Sequence, residues 1–578
     1  YFHNWTGNRI TCRDWFQLSL KEGLTVYRDQ EFSADLHSRA VKRIADVAML
    51  RSTQFREDAG PTAHPVQPDG YVAIDNFYTT TIYEKGAELI RMLQILLGRE
   101  RFDRGIALYV ERHDGSAATC EDFLRAMEDA AETDLLPFRR WYHQAGTPQL
   151  TVAGHWDPVH ASYRLDVSQH TAPTPGQDHK VALVIPLAMA LLDGRGQALP
   201  LALAGEPASA EASELPRERV LLCSESSQSF TFTDLAAAPV PSLLRGFSAP
   251  VKLEEITASR AGDLLRFAAD SDGFARWDAG QRLLLELLLG RAEDKADPGL
   301  LAEITSAFGA ILADLAIDND YRCCLLSLPR QPILEDAASE PDPIGLADAR
   351  RNLMGHFGAA LAEPLLACMA RVQPELELAW PQGSGARGLE GVGLAWRCAS
   401  ADGHARRRAL ALVSSASMTR ARAGLAALQP WDCQEREEAL DRFYARWQER
   451  PVILDTWFSL QAATPFGDTA GRVRELLNHP RFDLDAPNSI RAVLGGFAGS
   501  PHGFHAVDGS GYALMAELTL LVDQRNPITA SRLAKAFSRW QSYGPKRAQA
   551  MRSALEGVAE ADLSSNTREV VQQCLGKG

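Results

Sequence analysis

Two short strings near the start of the chain carry the fold assignment: YFHNWTGNR, residues 1–9, and KEGLT, residues 21–25. His3 in the first string and Glu22 in the second are separated by 18 residues. Taken alone, His3 would more often be a capped or core-edge histidine, and Glu22 would more often be a solvated helix residue. Their spacing and their neighbours therefore have to be weighed against the pattern of the whole chain.

The region around these strings, residues 1–146, is predicted to be mainly helical. Tyr83–Leu97 places apolar residues at helical spacing and ends before Gly98. A second helix is predicted over Cys120–Ala131, with Thr119 as its N-cap, and a third around residues 136–144. Residues 58–76 are rich in Pro, Gly and Asp, which predicts a loop.

The sequence pattern changes twice after this region. From residue 147 apolar residues alternate with a period of two, as in Tyr163-x-Leu165-x-Val167, which predicts a small antiparallel β-sandwich. We expect it to end near Pro250, because the pattern beyond is helical and favours stacked helix pairs of the α-solenoid type. The predicted fold is thus multidomain and mainly α, with three domains at residues 1–146, 147–249 and 250–578.

Composition excludes several classes of function. The chain has 578 residues and a net charge of −14, so it repels phosphate backbones and no nucleic-acid partner is expected. Arg406, Arg407 and Arg408 spread around a helix instead of forming one basic face. No apolar stretch is long enough to span a bilayer, and we also expect a monomer.

Cysteine and histidine usage bears on metal sites and on location. The nine scattered cysteines contain no Cys-x-x-Cys pair, which favours reduced thiols in the cytoplasm and disfavours a Cys-ligated zinc site. The 14 histidines contain no complete His-x-x-x-His pair. The chain does not begin with Met, so we expect that the sequence starts inside a longer protein.

Over essentially its whole length the sequence resembles the C-terminal two thirds of a bacterial aminopeptidase N, a member of the zinc-dependent M1 metallopeptidases. The resemblance implies a partial thermolysin-like helical catalytic domain, an Ig-like β-sandwich and a large helical C-terminal domain. Matches in successive regions, in the same order, make it more specific than one short motif. The segments that carry it are Phe2–Arg9, Trp15–Phe32, Asn76–Arg91, Tyr109–Ala126, Phe138–Pro148, residues 247–254 and residues 505–512.

The resemblance implies roles for individual residues. The family signature is His-Glu-x-x-His, then 18 residues, then Glu; its second His matches His3 and its distal Glu matches Glu22, so both are expected to bind one Zn²⁺. Tyr83, in IYEKGAE at residues 82–88, matches the segment of the catalytic tyrosine, whose phenol donates a hydrogen bond to the oxyanion. Without the resemblance, Tyr83 would be a helix-start tyrosine that packs its ring. For Asp29, orientation of a metal ligand and a surface ion pair with Arg28 are equally favoured.

The implied reaction is hydrolysis of the first peptide bond of peptides with a free N-terminus. In the family, the first zinc-binding His, the general-base Glu and a Gly-x-Met-x-Asn segment precede the residue that matches His3. We therefore expect the chain as given to hold zinc poorly and to be poorly active, because a general base contributes about 10²–10⁴-fold in rate. The alternatives are a non-catalytic peptide- or protein-binding scaffold, and a fragment with no function of its own.

Overall fold

A computed structural model describes residues 1–206 and 214–576 of the chain. These residues fall into two units, Tyr1–Leu283 and Leu284–Gly578. Each unit has its own buried apolar side chains. The division of the chain into three domains, with boundaries after residues 146 and 249, stays a prediction.

The Leu18–Leu36 helix carries Glu22 and organises the first part of the first unit. Leu20, Leu24 and Tyr27 are three or four residues apart, so they share one face, and that face is buried. The helix packs against Arg39–Met49 and Gly86–Leu97.

The helical elements of this unit are bounded as follows. The α-helices are Leu18–Leu36, Arg39–Met49, Phe55–Asp58, Gly86–Leu97, Arg99–His113, Cys120–Ala131, Arg140–His143, Arg260–Ala269 and Gly273–Ala292, the last of which begins in this unit. The π-helical turns are Leu50–Gln54 and Thr81–Lys85, and the 3₁₀ turns are Phe2–Asn4, Trp15–Gln17, Ile74–Phe77, Pro137–Arg139 and Arg245–Phe247.

The predicted helix over Cys120–Ala131 is confirmed together with its cap. The Thr119 hydroxyl accepts a hydrogen bond from the Asp122 N–H at 3.0 Å, and the Asp122 carboxylate accepts one from the Thr119 N–H at 2.8 Å. This reciprocal arrangement satisfies two N–H groups that the helix itself leaves unpaired. The element predicted from Tyr83 is divided instead, because a π-helical turn over Thr81–Lys85 precedes the Gly86–Leu97 helix.

Two sheets form the β-sandwich of the first unit. The five-stranded sheet has the order Lys252–Glu255, Gln149–Asp157, Ser162–His170, Ser227–Thr233 and Ala202–Leu203. The three-stranded sheet has the order Arg219–Cys223, Ile185–Leu192 and Val240–Leu243. Leu150, Val152, Leu165 and Val167 alternate with more exposed residues and are buried, as the period of two predicts. A separate parallel pair joins Thr11–Cys12 to Ala117–Ala118.

The expectation of an antiparallel sandwich is wrong for one strand, which comes just after Pro250. Lys252–Glu255 pairs parallel with Gln149–Asp157, with Leu253 opposite Leu150. The strand has four residues, all of them exposed or only partly buried. Local hydropathy therefore gave no alternation to detect, and its pairing depends on a contact about a hundred residues away in sequence.

The second unit is helical, and no strand occurs within its described residues, 284–576. The helical pattern predicted beyond Pro250 is confirmed. Its α-helices after Gly273–Ala292 are Pro298–Ala313, Asn319–Leu325, Gln331–Ala337, Pro343–Ala360, Ala362–Val372, Ser384–Ala399, Gly403–Leu412, Met418–Leu428, Gln434–Trp447, Pro451–Ala462, Thr469–Leu477, Pro487–Ile490, Gly496–Ala498, Pro501–Phe504, Ser510–Asp523, Pro527–Ala534, Pro545–Ala559 and Ser565–Cys574. A π-helical turn spans Arg491–Gly495, and 3₁₀ turns span Gln373–Glu375, Lys535–Phe537 and Trp540–Ser542.

Two apolar clusters stabilise the second unit. One includes Leu394, Leu428 and Phe443, and the other includes Phe497 and Met515, and all five side chains are completely buried. Proline often occupies the first turn of these helices, where its fixed φ and missing N–H are tolerated.

Among residues 1–206 and 214–576, no single helix has both the length and the apolar character needed to cross a bilayer. One pair, Pro343–Ala360 with Ala362–Glu375, meets the length and composition criteria jointly, but it is bent by 78°.

Candidate metal-binding and catalytic site

Glu22 is a buried carboxylate with only 3% of its surface exposed. It lies in the second turn of the Leu18–Leu36 helix, whose apolar face fixes it inside the unit. A buried carboxylate is costly unless cations or donors face it. The Lys21 ammonium lies 3.4 Å from its Oε1, and His3 Nε2 lies 3.1 Å from its Oε2. The structure thus brings together His3 and Glu22, which have 18 residues between them in the sequence.

Thr25 and Gly7 both lie next to Nδ1 of the His3 ring. The Thr25 hydroxyl lies 3.4 Å from His3 Nδ1 and donates to the Thr6 carbonyl at 2.9 Å. Because the hydroxyl hydrogen is directed to Thr6, the Thr25 oxygen is available to accept from His3 Nδ1–H, and Nε2 is the ring nitrogen that faces Glu22. A Cβ on Gly7 would lie only 2.8 Å from the same nitrogen, His3 Nδ1, and Gly7 has φ +145°.

This arrangement fits a bound zinc ion. An imidazole nitrogen and a carboxylate oxygen, both of which zinc accepts as ligands, face each other at 3.1 Å. Two ligands of one tetrahedral zinc ion, each about 2.0–2.1 Å from it, lie about 3.3 Å apart. Among the residues the structure describes, no group of three or more His, Cys, Asp or Glu residues could hold a metal, so this part of the chain offers two protein ligands.

Tyr83 lies at the middle of the Thr81–Lys85 π-helical turn. It packs against the buried cluster of Leu18, Phe77 and Ile82, and its ring centroid is 6.5 Å from that of Tyr78. Leu18 belongs to the helix that carries Glu22, and that helix contacts the turn directly.

Two glycines allow the helix of Glu22 and the segment of Tyr83 to approach closely. A Cβ on Gly23 would lie 2.7 Å from the carbonyl carbon of Gly86, and a Cβ on Gly86 would lie 3.2 Å from Gly23 Cα. Gly23 follows Glu22 directly, and Gly86 comes three residues after Tyr83. The backbone crossing therefore fixes the turn of Tyr83 beside the helix of Glu22.

Asp29 is exposed on the Leu18–Leu36 helix. The neighbouring Arg28 donates to the Thr6 hydroxyl at 3.3 Å and lies 4.7 Å above the Phe2 ring.

Sequence reasoning missed the residues that hold the site in place. Thr25 could have been found, since it comes three residues after Glu22 and so shares a face of its helix. The need for glycine at residue 7 depends on its close approach to His3, which the sequence does not show.

Glu84, next to Tyr83, has a shifted pKa. Burial, together with repulsion from Asp46 and Glu88, raises the pKa of Glu84 to about 7.

Comparison with known families gives matches to three successive parts of the chain. The Peptidase family M1 domain matches residues 1–142. A domain of unknown function with an Ig-like fold (DUF3458) matches residues 146–256, and one built of ARM repeats (DUF3458_C) matches residues 262–576.

Three curated bacterial relatives match along 100% of this chain. The chain is 43% identical to aminopeptidase N of Escherichia coli, 38% to that of Haemophilus influenzae and 41% to that of Caulobacter vibrioides. It spans 66%, 66% and 65% of the length of these relatives, which is slightly less than two thirds.

A solved structure shows the same fold. The crystal structure of Legionella pneumophila aminopeptidase A in complex with aspartic acid superposes with a TM-score of 0.86 at 28% identity, covering 100% of this chain and 65% of that one. The structure places His3 against the buried Glu22 carboxylate and the Tyr83 turn beside the helix of Glu22, and the matches to relatives run along the whole chain. The chain therefore belongs to the M1 aminopeptidase family, among the relatives of bacterial aminopeptidase N.

Proposed function

We propose that the protein acts in the zinc-dependent release of N-terminal residues from peptides that have a free N-terminus. His3 and Glu22 are the zinc ligands of this chain, and Tyr83 is its catalytic tyrosine. The observation that carries the proposal is the 3.1 Å approach of His3 Nε2 to the buried Glu22 carboxylate, in a region that matches the M1 peptidase domain.

The residues of this chain would have the following roles in the proposed reaction. Glu22 and His3 bind the ion, and Lys21, 3.4 Å from Glu22, reduces the cost of burying that carboxylate. When bound, zinc supplies Lewis-acid polarisation of the scissile carbonyl and a water of lowered pKa. The phenol of Tyr83 donates a hydrogen bond to the oxyanion of the tetrahedral intermediate, a contribution of about 10²–10³-fold in kcat where one such donor is removed.

The described residues bring two proposed zinc ligands together, His3 and Glu22. We therefore expect residues 1–578 tested by themselves to bind zinc weakly. We propose three domains with boundaries after residues 146 and 249, supported by the family matches at residues 1–142, 146–256 and 262–576. A peptide substrate follows from the same proposal, and we propose that the protein is a monomer.

A cytoplasmic location is part of the proposal. It is supported by the nine cysteines, all of which are free in the structure, since disulfides are rare in the cytosol.

Calorimetric titration of the chain with Zn²⁺ tests the ligand assignment. We expect a single weak site whose affinity falls at least about tenfold in His3→Ala and in Glu22→Gln, because each removes one of two ligands. His160→Ala and Glu100→Gln are matched controls on the surface of the same unit and should titrate like the parent chain. Zinc binding that is unaffected by His3→Ala and Glu22→Gln would favour the scaffold alternative.

The catalytic assignment is tested in the enzyme as the source organism makes it, with an aminoacyl chromogenic substrate. Tyr83→Phe should reduce kcat by about 10²–10³-fold. Tyr78→Phe, which changes the ring neighbour of Tyr83, is the matched control and should retain most of the activity. Full activity of Tyr83→Phe would contradict the role proposed for the phenol.

A further inference from the structure

Two consecutive carboxylates bind the two ends of the π-helical turn that carries Tyr83. Glu57 and Asp58 stand side by side in the short Phe55–Asp58 helix. Glu57 binds the beginning of the Thr81–Lys85 turn, and Asp58 binds its last residue. Tyr83 lies midway between the two attachments.

Glu57 satisfies the beginning of the turn with a single oxygen. Its Oε1 accepts from the Thr81 N–H at 2.8 Å, from the Thr81 hydroxyl at 2.8 Å and from the Thr80 hydroxyl at 3.1 Å. The first N–H groups of a helical element have no partner within it. A carboxylate that accepts one of them and balances the positive end of the element is therefore stabilising.

Asp58 holds the other end through a buried ion pair. The Lys85 ammonium donates to Asp58 Oδ2 at 2.7 Å and to the Gly146 carbonyl at 2.9 Å, and the Thr147 hydroxyl donates to the same Asp58 oxygen at 2.9 Å. The Asp58 side chain is completely buried, and that of Lys85 is 1% exposed. Removing one member would leave an unpaired buried charge, so this end of the turn is strongly fixed.

The conformation of the turn is one that needs such support. A π-helical turn is rare and tends to occur at functional sites. If it rewound as an α-helix, the side chain at its middle would be carried to another direction around the helix axis. Holding the first and last residues therefore holds the direction of Tyr83.

We propose that Glu57 and Asp58 are positioning residues, which keep the Thr81–Lys85 turn in its π-helical form and thereby set the direction of the Tyr83 phenol. The inference rests on the function proposed for Tyr83, and it adds two residues that touch neither metal nor substrate.

Fluorine NMR of the chain labelled with 3-fluorotyrosine at its 12 tyrosines tests this without requiring activity. The line that disappears in Tyr83→Phe identifies Tyr83. In Glu57→Ala we expect that line to shift or broaden, while the line of Tyr163 in the β-sandwich stays in place. Glu57→Gln keeps an acceptor oxygen and should restore the line towards its original position.

The matched control is Glu128→Ala. Glu128 likewise accepts a backbone N–H, that of Leu135 at 2.8 Å, and lies in the same unit, but it does not touch the turn. If Glu57→Ala fails to fold, the nearly isosteric Thr81→Val removes the hydroxyl bond to Glu57. The Tyr83 line is then expected to shift or broaden in Thr81→Val. For Asp58, the double variant Asp58→Asn, Lys85→Met removes both charges together.

A Tyr83 line that is unchanged in Glu57→Ala, in Thr81→Val and in the Asp58, Lys85 double variant would overturn the inference. In the enzyme from the source organism, Glu57→Ala should lower kcat by up to about 100-fold with little change in KM, since small misplacements have effects of that size. Should Tyr83→Phe leave activity intact while Glu57→Ala still moves the line, the proposed catalysis fails and the positioning stands.

Discussion

Gly7 and Thr25 determine where the ring of His3 lies. The Thr25 hydroxyl contacts His3 Nδ1 at 3.4 Å, and the missing side chain of Gly7 leaves space at the same nitrogen. Neither residue is itself a metal ligand. The orientation of the His3 ring, and so the direction in which Nε2 faces, nevertheless depends on both residues.

Gly7→Ala should destabilise the first unit by about 1–3 kcal/mol, because only glycine adopts its φ of +145° without strain. The added Cβ would also meet Lys21 Cγ at 2.9 Å and displace His3, so zinc affinity should fall too. Urea denaturation and zinc calorimetry measure the two effects. Gly115→Ala, at φ +72° with open space around the added Cβ, is the control that keeps backbone strain but should not alter zinc affinity.

Glu84→Gln should change how stability depends on pH. Burial raises the pKa of Glu84 to about 7 from an ordinary value of 4.5, so between these values the folded protein holds a proton that the unfolded chain releases. This carboxyl therefore makes stability fall as pH rises through that interval. The stability of Glu84→Gln relative to the parent should rise by about 1–3 kcal/mol between pH 5 and pH 8.

Urea denaturation at several pH values measures this difference, and Glu100→Gln at an exposed position serves as the control. A constant difference between Glu84→Gln and the parent across the interval would contradict the assignment.

Part of the candidate site could be predicted from sequence. The resemblance, which rests on the 18-residue spacing of His3 and Glu22 and on the residues around them, implied that the two lie close together. The structure places them 3.1 Å apart; their binding of zinc stays a prediction. The residues that position the site could not be predicted, because the role of Gly7 depends on its close approach to His3, and Glu57 binds Thr81, 24 positions further along the chain.

Among the secondary-structure elements, Arg43 connects three parts of the first unit. From the Arg39–Met49 helix it binds both oxygens of Glu88 on the Gly86–Leu97 helix. It also donates to the carbonyls of Gly246 and Phe247, which lie between the strands Val240–Leu243 and Lys252–Glu255. The Arg43 and Glu88 side chains are 8% and 3% exposed. Local patterns predicted a helix over Tyr83–Leu97 and the alternating strands, whereas the connection through Arg43 and the parallel Lys252–Glu255 strand depend on distant residues.

Arg43→Met should lower the unfolding free energy of the first unit by about 3–5 kcal/mol, because Glu88 would be left buried with only Arg91, 3.7 Å away, to balance its charge. The double variant Arg43→Met, Glu88→Leu removes both charges and should recover much of that loss. Arg99→Met, which breaks an exposed ion pair with Asp103, is the control and should cost about 0–1 kcal/mol. A loss in Arg43→Met no larger than in Arg99→Met would show that the pair adds little.

Across the whole molecule, the nine cysteines are free. Cys120, Cys223, Cys368, Cys398 and Cys574 are buried, and burial raises the pKa of the Cys120 thiol to about 12. A thiol that is buried and protonated reacts slowly with disulfide reagents.

Titration with Ellman's reagent at pH 8 without reductant should therefore give nine thiols in denaturant, and should leave the five buried ones protected in the native protein. Fewer than nine in denaturant would reveal a disulfide. Rapid reaction of all nine in the native protein would contradict the burial of these side chains.

The central claim is that His3 and Glu22 share a zinc ion. Anomalous diffraction at the zinc edge, from crystals of the chain equilibrated with excess Zn²⁺, tests it most directly. The account predicts a peak about 2.0–2.1 Å from both His3 Nε2 and a Glu22 carboxylate oxygen, and its loss in Glu22→Gln. Zinc bound elsewhere in the chain, with no density between these two side chains, would contradict the account.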